Sequence, residues 1–404
     1  MANTVGARTT VLAGTETRVP RSVDVDISEL EPEIGPLITL LVKLEHTKPV
    51  QTQKIEWFEH ERMTKWATSA AAVGASASST TITVSDGTQF LVGDMFIVVP
   101  AVGVSTKPEL IRVQSKSGAV LTVTRNIGAA GLMSIASGDS LYVLGDAQEE
   151  YSSIPSMKSN SPSAKYSYLQ ISRTPIDFSN SAIALAMYGA KDGERKRAHR
   201  EQMIEHKRKM AAALYWSIAS ENTTGGEDSY ALRTTQGLRN TITTNVVDGG
   251  GILTYKKFME FSRMSFRYGN STDRLLVAAP KIIEAINAWA TSHLMVTPGV
   301  KKYGLNIQSV ETPHGVWRVV RDWTLEDGVS GKNGFGGMAF SVDIDNIEYC
   351  YLKGNGVSRD TKVEMDIVQG GADGKKDQII SEYGFKIKLE KTHGLLYDVT
   401  DYMA

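Results

Sequence analysis

Residues 81–144 are patterned as short strands, and the chain on either side of them is not. Alternating or apolar runs recur at Thr81–Val84, Met95–Pro100, Glu109–Gln114, Ala119–Arg125 and Ser140–Leu144. Asp86-Gly87, Gly93-Asp94, Ser117-Gly118 and Gly138-Asp139 separate them, dipeptides that turn a chain at little steric cost. Five such runs, about 10–15 residues apart, describe a small β-barrel or sandwich. An Ala/Ser/Gly-rich stretch, Thr68–Ser79, leads into the block as a linker. The block is bracketed by QKIEWFEHERMTK (53–65) and YSYLQISRTPIDF (166–178), two segments of like strand character. A long hairpin interrupted at its tip explains that symmetry. The β block, 76–147, is therefore expected as an insertion within a larger domain.

The strongest helix signal follows at Asp192–Ser220, with Asp192 as its N-cap. About 27 residues at a 1.5 Å rise make a rod of roughly 40 Å. Its halves differ. Residues 194–209 hold seven Lys or Arg (195, 196, 197, 200, 207, 208, 209) against three Glu (194, 201, 205), a local excess of four. Met210–Ile218 is almost wholly apolar. The second half belongs in a core. The first belongs at a surface, where a solvated face, a neighbouring subunit's acids and DNA phosphates all remain open.

Residues 37–46 suit a short helix or a buried segment, and 234–244 a glycine-marked strand or loop. Thr254–Tyr268 is patterned as an amphipathic helix, Arg274–Ala278 as a buried strand, and Pro280 opens a helix to Thr291. Strands are expected near 305–311, 316–322, 338–344 and 347–353. A last strand at Ser381–Glu390 is expected to lead to a short tail. Loops at 328–337 and 370–377 interrupt them. Residues 1–35, with Pro20 and Pro32 and no sustained helical period, form an extended arm that needs a partner for order.

Composition closes several routes. A chain of 404 residues has interior enough for two or three domains, and 41% apolar with 22% charged residues is ordinary for a globular protein. The net charge of −1 leaves nucleic-acid contact to local patches. Cys350 is the single cysteine, so no intrachain disulfide and no cysteine-rich zinc site is possible. Met1–Arg21 has no apolar core resembling a signal peptide. Apolar stretches such as Phe96–Val104 fall short of the roughly 18–20 residues that cross a bilayer.

Sites for chemistry are sparse. There is no phosphate-binding Gly-x-x-x-x-Gly-Lys-Ser/Thr and no Gly-x-Ser-x-Gly elbow; GVSGKNGFGG (328–337), with Lys332, lacks the strand-to-helix context. Glu59-His60-Glu61 and His199/Glu205/His206 are the histidine–acid clusters, and neither has metal-ligand spacing. Asp343/Asp345 and Asp322/Asp327 are acid pairs of the kind common in turn-rich strands. No catalytic, cofactor-binding or metal residue is assigned.

In this order, arm, long hairpin, long helix and α+β body, the parts resemble the Hong-Kong-97-type capsid fold of tailed phages. That fold is shared by encapsulin shells and the floor of herpesvirus capsids. More specifically, the chain is similar to the major capsid family of an elongated-headed coliphage. Glu56-Trp57 matches on the hairpin leg, and Val92-Gly93-Asp94 and Val123-Thr124-Arg125 match in the β-rich insertion. TPIDFSNSAIAL (174–185) matches on the return, and Thr235-Gln236-Gly237-Leu238 after the helix.

The resemblance implies an α+β chain with these parts. The N-terminal arm is 1–35, and the extended hairpin loop with the start of a peripheral domain is 36–75 and 148–190. The inserted β domain is 76–147, the spine helix with peripheral domain 191–233, the axial domain 234–345, and the peripheral strands and C-terminal tail 346–404. It implies a major capsid protein that assembles with itself, as hexamers and pentamers, into an icosahedral head shell around double-stranded DNA held without sequence specificity. Such a subunit is no enzyme, takes no cofactor, touches no membrane, is made in the bacterial cytoplasm and ends in the virion. Portal, decoration and separate scaffolding proteins are the further partners, since no charged helical scaffold segment is seen at the N-terminus. The arm and hairpin are expected to supply most intersubunit area, and the inserted domain to brace neighbours on the outer side. An encapsulin-like compartment, or a phage tail or surface adhesin, are the competing readings.

Overall fold

Gly35, at φ +61, turns the chain into α1 (Pro36–Lys43), whose Leu37, Ile38, Leu40 and Leu41 are buried. Proline at the first helical position has no N–H to leave unpaired. The computed structural model describes residues 35–403 except 100–107, 129–130, 153, 186–192, 227–229, 291–294, 303–304, 326–336 and 368–372. The expected arm, the cap at Asp192 and nearly all of the loop at 328–337 lie outside the described residues. After α1 come β1 (Thr47–Val50) and β2 (Lys54–Glu59).

The chain then forms a separate compact unit, Phe58–Ala164. Its strands are β3 (Trp66–Thr68), β4 (Thr81–Thr83), β5 (Asp94–Val99), β6 (Leu110–Ser117), β7 (Val120–Thr124) and β8 (Ser140–Asp146), in the order β3-β8-β5-β6-β7-β4. The two ends of that order meet. Ser69 bridges Val84, the Ala70 N–H donates to Thr83 O at 2.8 Å, and the Ser85 N–H donates to Thr68 O at 2.9 Å. The sheet is thus a closed six-stranded barrel without a free edge. Alternate residues fill it: Phe96 and Val98, Ile111 and Val113, Leu121 and Val123 are essentially inaccessible. The five expected strands are all present. The Ala/Ser/Gly stretch expected as a linker instead starts inside β3 and carries the closing bonds, because its backbone, and not its side chains, does the joining.

The barrel also buries an ion pair. Arg125 Nε donates to Glu109 Oε1 at 3.0 Å and Nη2 to Oε2 at 2.6 Å, with both side chains at most 1% exposed. The N–H groups of Asn126 and Met133 complete the carboxylate at 3.0 and 2.8 Å, and Arg125 Nη1 reaches Gly74 O at 2.6 Å. The carboxylate thus accepts four hydrogen bonds, and such satisfaction is the condition for a buried pair to be tolerated.

The second unit comprises the described residues up to Trp57 and from Lys165 onward. Its remaining elements are β9 (Ser163–Tyr168, entering from the barrel unit), β10 (Gln170–Ser179), α2 (Asn180–Ala184), α3 (Glu194–Trp216), β11 (Ser220–Asn222), β12 (Leu232–Thr234), α4 (Leu238–Thr241), β13 (Val246–Leu253), α5 (Tyr255–Ser265), β14 (Asp273–Ala278), α6 (Pro280–Ala290), β15 (Met295–Lys302), β16 (Leu305–Thr312), β17 (Gly315–Arg321), β18 (Ala339–Val342), β19 (Ile347–Gly354), β20 (Val357–Ser358), β21 (Lys362–Glu364), β22 (Gly374–Ile387) and β23 (Gly394–Tyr402).

One sheet runs β1-β19-β22-β10, with β20 and β21 attached; a seven-stranded sheet runs β13-β23-β18-β14-β17-β16-β15. In the second sheet β14 is buried on both faces. Leu275 and Val277 join α1, α3, β19 and β22 in one core, while Leu276 and Ala278 join α5 and α6 in another. A near-continuous apolar run such as LLVA is what a strand covered on both sides requires.

Three expectations need correction. The return leg splits: β9 pairs with β2, but β10 pairs along its whole length with β22, so only 163–168 belongs to the hairpin. The last strand expected at 381–390 is β22, beginning at Gly374 inside the stretch read as a loop, where Lys376 is exposed and the next residue, Asp377, is buried. The expected tail is β23, which sits between β13 and β18 in the seven-stranded sheet. Its Leu395 and Leu396 face opposite cores, so two buried leucines in a row show no period-2 pattern to read.

Candidate assembly surfaces

The long helix α3 is fastened to β22 by its charged half. Asp377, fully buried, accepts from Arg195 Nε at 2.7 Å, Arg195 Nη2 at 2.5 Å, His199 Nε2 at 2.8 Å and the Asp366 N–H at 2.8 Å. The Arg195 hydrogen bonds hold the Asp377 carboxyl far below the usual carboxylate range, against the opposing effect of burial. Two turns along, His206 is inaccessible: its Nδ1 lies 3.0 Å from Thr174 Oγ1 and its Nε2 lies 2.7 Å from Ser381 Oγ. Lys209 also donates to Thr174 Oγ1 at 3.2 Å, so both ring nitrogens of His206 and that hydroxyl are engaged. Burial lowers the pKa of His206, in keeping with a neutral ring. The histidines of the suspected His199/Glu205/His206 cluster therefore bond the sheet, and Glu205 pairs with Arg208 at 3.6 Å.

From Met210 onward the helix joins the core. Met210, Ala211, Ala213, Leu214 and Tyr215 are buried, and the Tyr215 hydroxyl donates to the buried Asp322 at 2.7 Å. The helix stops at Trp216, four residues before the expected end. Its last carbonyls are taken by tertiary partners: the Gly237 N–H donates to Ser217 O at 2.9 Å, and Asn240 Nδ2 donates to Trp216 O and Ser217 O at 3.0 Å each. A Cβ on Gly237 would fall 2.6 Å from Ser217 N, so only glycine fits there. Thr235, two residues earlier, accepts the Phe385 N–H at 2.9 Å, and Leu238 is inaccessible. The Thr235–Leu238 phrase is thus the joint between the helix end and both sheets.

The basic run divides by face. Arg197 bonds Glu194 and Glu201 along the helix, and Arg195 bonds Asp377 and Asp366. Lys196, Arg200 and Lys207 are exposed and lie within one narrow stripe at helical spacing.

On the hairpin, Ile55 of β2 and Leu169 pack with Cys350, whose thiol burial pushes up to about 12, an inert sulfur. Trp57 lies under Lys386 at 5.8 Å and Lys54 over Tyr166 at 4.9 Å, while Phe58 is 77% exposed. His60 Nε2 contacts Asn160 O at 3.2 Å, and Asn160 Nδ2 donates to Glu61 O at 3.1 Å, so the Glu59-His60-Glu61 stretch binds the returning chain.

A cavity of about 420 Å³ is lined by Leu40, His46, Arg274, Arg318, Asp343 and Asp345 among others. It holds the Asp343/Asp345 pair, but the two differ in kind. Asp343 is buried and raised in pKa by that burial, with Asn346 Nδ2 at 2.9 Å; Asp345 is exposed, 4.0 Å from His46. Next to them His393 is inaccessible, accepting the Asp343 N–H at 3.3 Å and meeting Lys388 O at 3.1 Å; burial lowers its pKa to about 4. Among the described residues no group of three or more His, Cys, Asp or Glu is placed to hold a metal ion. Asp322 serves Tyr215 and Thr324, and Asp327 lies outside the described residues.

These are features of a subunit built around one clamped helix. The family model SU10 major capsid protein matches residues 3–400. The chain belongs to that family. It is a phage capsid shell protein. The major capsid protein of Pseudomonas phage PaMx41 is 25% identical over 337 residues, covering 79% of this chain and 75% of that protein. Among solved structures, the capsid of cyanophage A-1(L) aligns with a TM-score of 0.47 at 13% identity, over 97% of this chain and 100% of that one. The holo-SrpI encapsulin complex from Synechococcus elongatus PCC 7942 aligns at 0.42 and 12%, over 60% of this chain and 79% of that one.

What sequence reasoning missed was Asp377, Arg274, His393 and the core role of His206. His199 and His206 had one usable signal, a period of seven between two histidines on a helix, which places both on one face.

Proposed function

We propose that this capsid shell protein acts as a purely structural subunit. It forms hexamers and pentamers of an icosahedral head around double-stranded DNA, without catalysis, cofactor or membrane contact. The arm, 1–35, and the hairpin of β2 and β9 carry contacts between copies. The observation that supports this most is the hairpin itself: a two-stranded ribbon whose base packs on Cys350 through Ile55 while Phe58 is left 77% exposed, free to meet a neighbour. A ribbon of that kind gains order by lying on another chain. Made in the bacterial cytoplasm, the subunit meets portal, scaffolding and decoration proteins there, and DNA binding is electrostatic and independent of sequence.

The test is electron microscopy and light scattering of the purified full chain, beside a deletion of residues 1–35. Closed shells or five- and six-fold rings are expected from the full chain. The deletion is expected to fold normally, by circular dichroism, and to assemble poorly. A full chain that stays monomeric under crowding at low salt, with scaffolding supplied, overturns the reading. Shells that enclose an enzyme in place of nuclease-protected DNA favour an encapsulin-like compartment.

A further inference from the structure

The barrel unit carries a strap that is held in place yet faces apolar side chains to water. It runs from Ala147 to Pro162, between β8 and β9, and its described residues have no regular secondary structure. Polar bonds pin both ends. Arg112 Nε donates to Ala147 O at 3.1 Å and Arg112 Nη1 to Glu149 Oε1 at 3.2 Å. Lys158 Nζ donates to Gln89 O at 2.8 Å and to Asp94 Oδ2 at 2.5 Å, and Asn160 Nδ2 donates to Glu61 O at 3.1 Å.

Between those pins stand Tyr151, Ile154 and Met157. Tyr151 is completely exposed, Ile154 is 96% exposed and Met157 is 86% exposed, the three largest apolar exposures among the described residues of the unit. All three fall within one seven-residue stretch between the two sets of pins. Tyr151 also has φ +66, a left-handed conformation that is costly for a bulky side chain and persists where the surroundings enforce it. The Ser152 N–H donates to Glu149 O at 3.2 Å, closing the turn that holds Tyr151 in this conformation.

We infer that this strap, through Tyr151, Ile154 and Met157, is a docking surface for a second copy of this chain in the shell. The inference rests on the shell reading. The barrel is a closed sheet with no edge to offer, so its contacts with a neighbour must come from side chains outside the ladder. Three such side chains supply on the order of 500 Å², against about 800 Å² on each side of a standard stable interface. That is too little to hold a free dimer, which keeps the single subunit soluble, and enough for a contact repeated throughout a closed lattice. Pinning both ends removes most of the ordering cost before docking.

The test uses the full chain with a photo-reactive benzophenone amino acid at position 154, irradiated as free subunit and as assembled shells. The expected product in shells is a covalent dimer of this chain, absent from the free subunit. Alongside it, the variant Tyr151→Ser/Ile154→Ser/Met157→Ser is expected to keep the barrel's unfolding midpoint and to need at least about tenfold more protein for shells. Ile154→Leu/Met157→Leu is expected to assemble as the parent does. Shells whose position 154 cross-links only within its own chain or to a different protein, or serine-variant shells forming at the parent's concentration, overturn this inference alone. A parent chain that forms no shell overturns the shell reading and this inference with it.

Discussion

The barrel and the body handle the same problem, the unpaired edge of a sheet, in opposite ways. The barrel closes on itself with partners drawn from 66–146. The body completes its sheets with distant chain: β1 pairs with β19 across some three hundred residues, and β13 pairs with β23 at the far C-terminal end. Even their buried charges follow this division. Arg125 finds Glu109 sixteen residues away, while Arg195 finds Asp377 at a separation of 182. Local closure makes a unit that orders from within. Distant completion makes one whose order waits for the last strand, since long loops must close before their contacts return any stabilisation.

The sharpest way to break that contrast is to remove β23. Truncation after His393 is expected to abolish cooperative unfolding of the body, because Leu395, Leu396 and Val399 are lost from two cores and β13 and β18 lose their partner. Residues 58–164 expressed alone are expected to keep a cooperative transition. A truncated chain that unfolds normally by circular dichroism, or a barrel fragment without a transition, removes the distinction.

Next in size is Glu109→Ala, which leaves Arg125 charged and buried without its partner. A loss of about 3–5 kcal/mol is expected. In urea titrations it is expected in the barrel's transition while the body's midpoint stays put. A shift in both transitions means the units do not unfold separately.

Acid is expected to act on the body through His393. Its folded pKa of about 4 lies below the ordinary 6.5. The unfolded chain therefore binds the extra proton between those values, and stability present above pH 6.5 is lost as pH falls to 4. The limit is on the order of 3 kcal/mol. His393→Gln is expected to flatten that part of the curve, and a pH profile of unfolding free energy that keeps its slope assigns it to another group.

The smallest effect is expected from Lys196→Glu or Lys207→Glu on the exposed stripe of α3, within about 0.5 kcal/mol by thermal unfolding. A large loss there reveals a structural role that the exposure of these residues gives no reason to expect.

The parts of the molecule legible in its residues were those stabilised locally. Five barrel strands, the helices at 255–265 and 280–290 and the apolar half of α3 follow from period, caps and turn dipeptides, whose forces act within a few residues. The phrase Thr235-Gln236-Gly237-Leu238 was legible as a likeness but not as a joint. Its meaning lies in Ser217 and Phe385, which no local pattern brings near.

By itself, then, the sequence determined an α+β chain with an inserted β unit, one long two-faced helix and the family to which it belongs. Only the tertiary structure decided that the linker closes the barrel, that the tail is an inner strand, that Asp377 clamps the helix and that Tyr151, Ile154 and Met157 stand in water. The physical reason is the same in each case. Hydrophobic period and turn chemistry are properties of neighbours along the chain, whereas edge closure, charge pairing and exposure depend on which distant segment arrives.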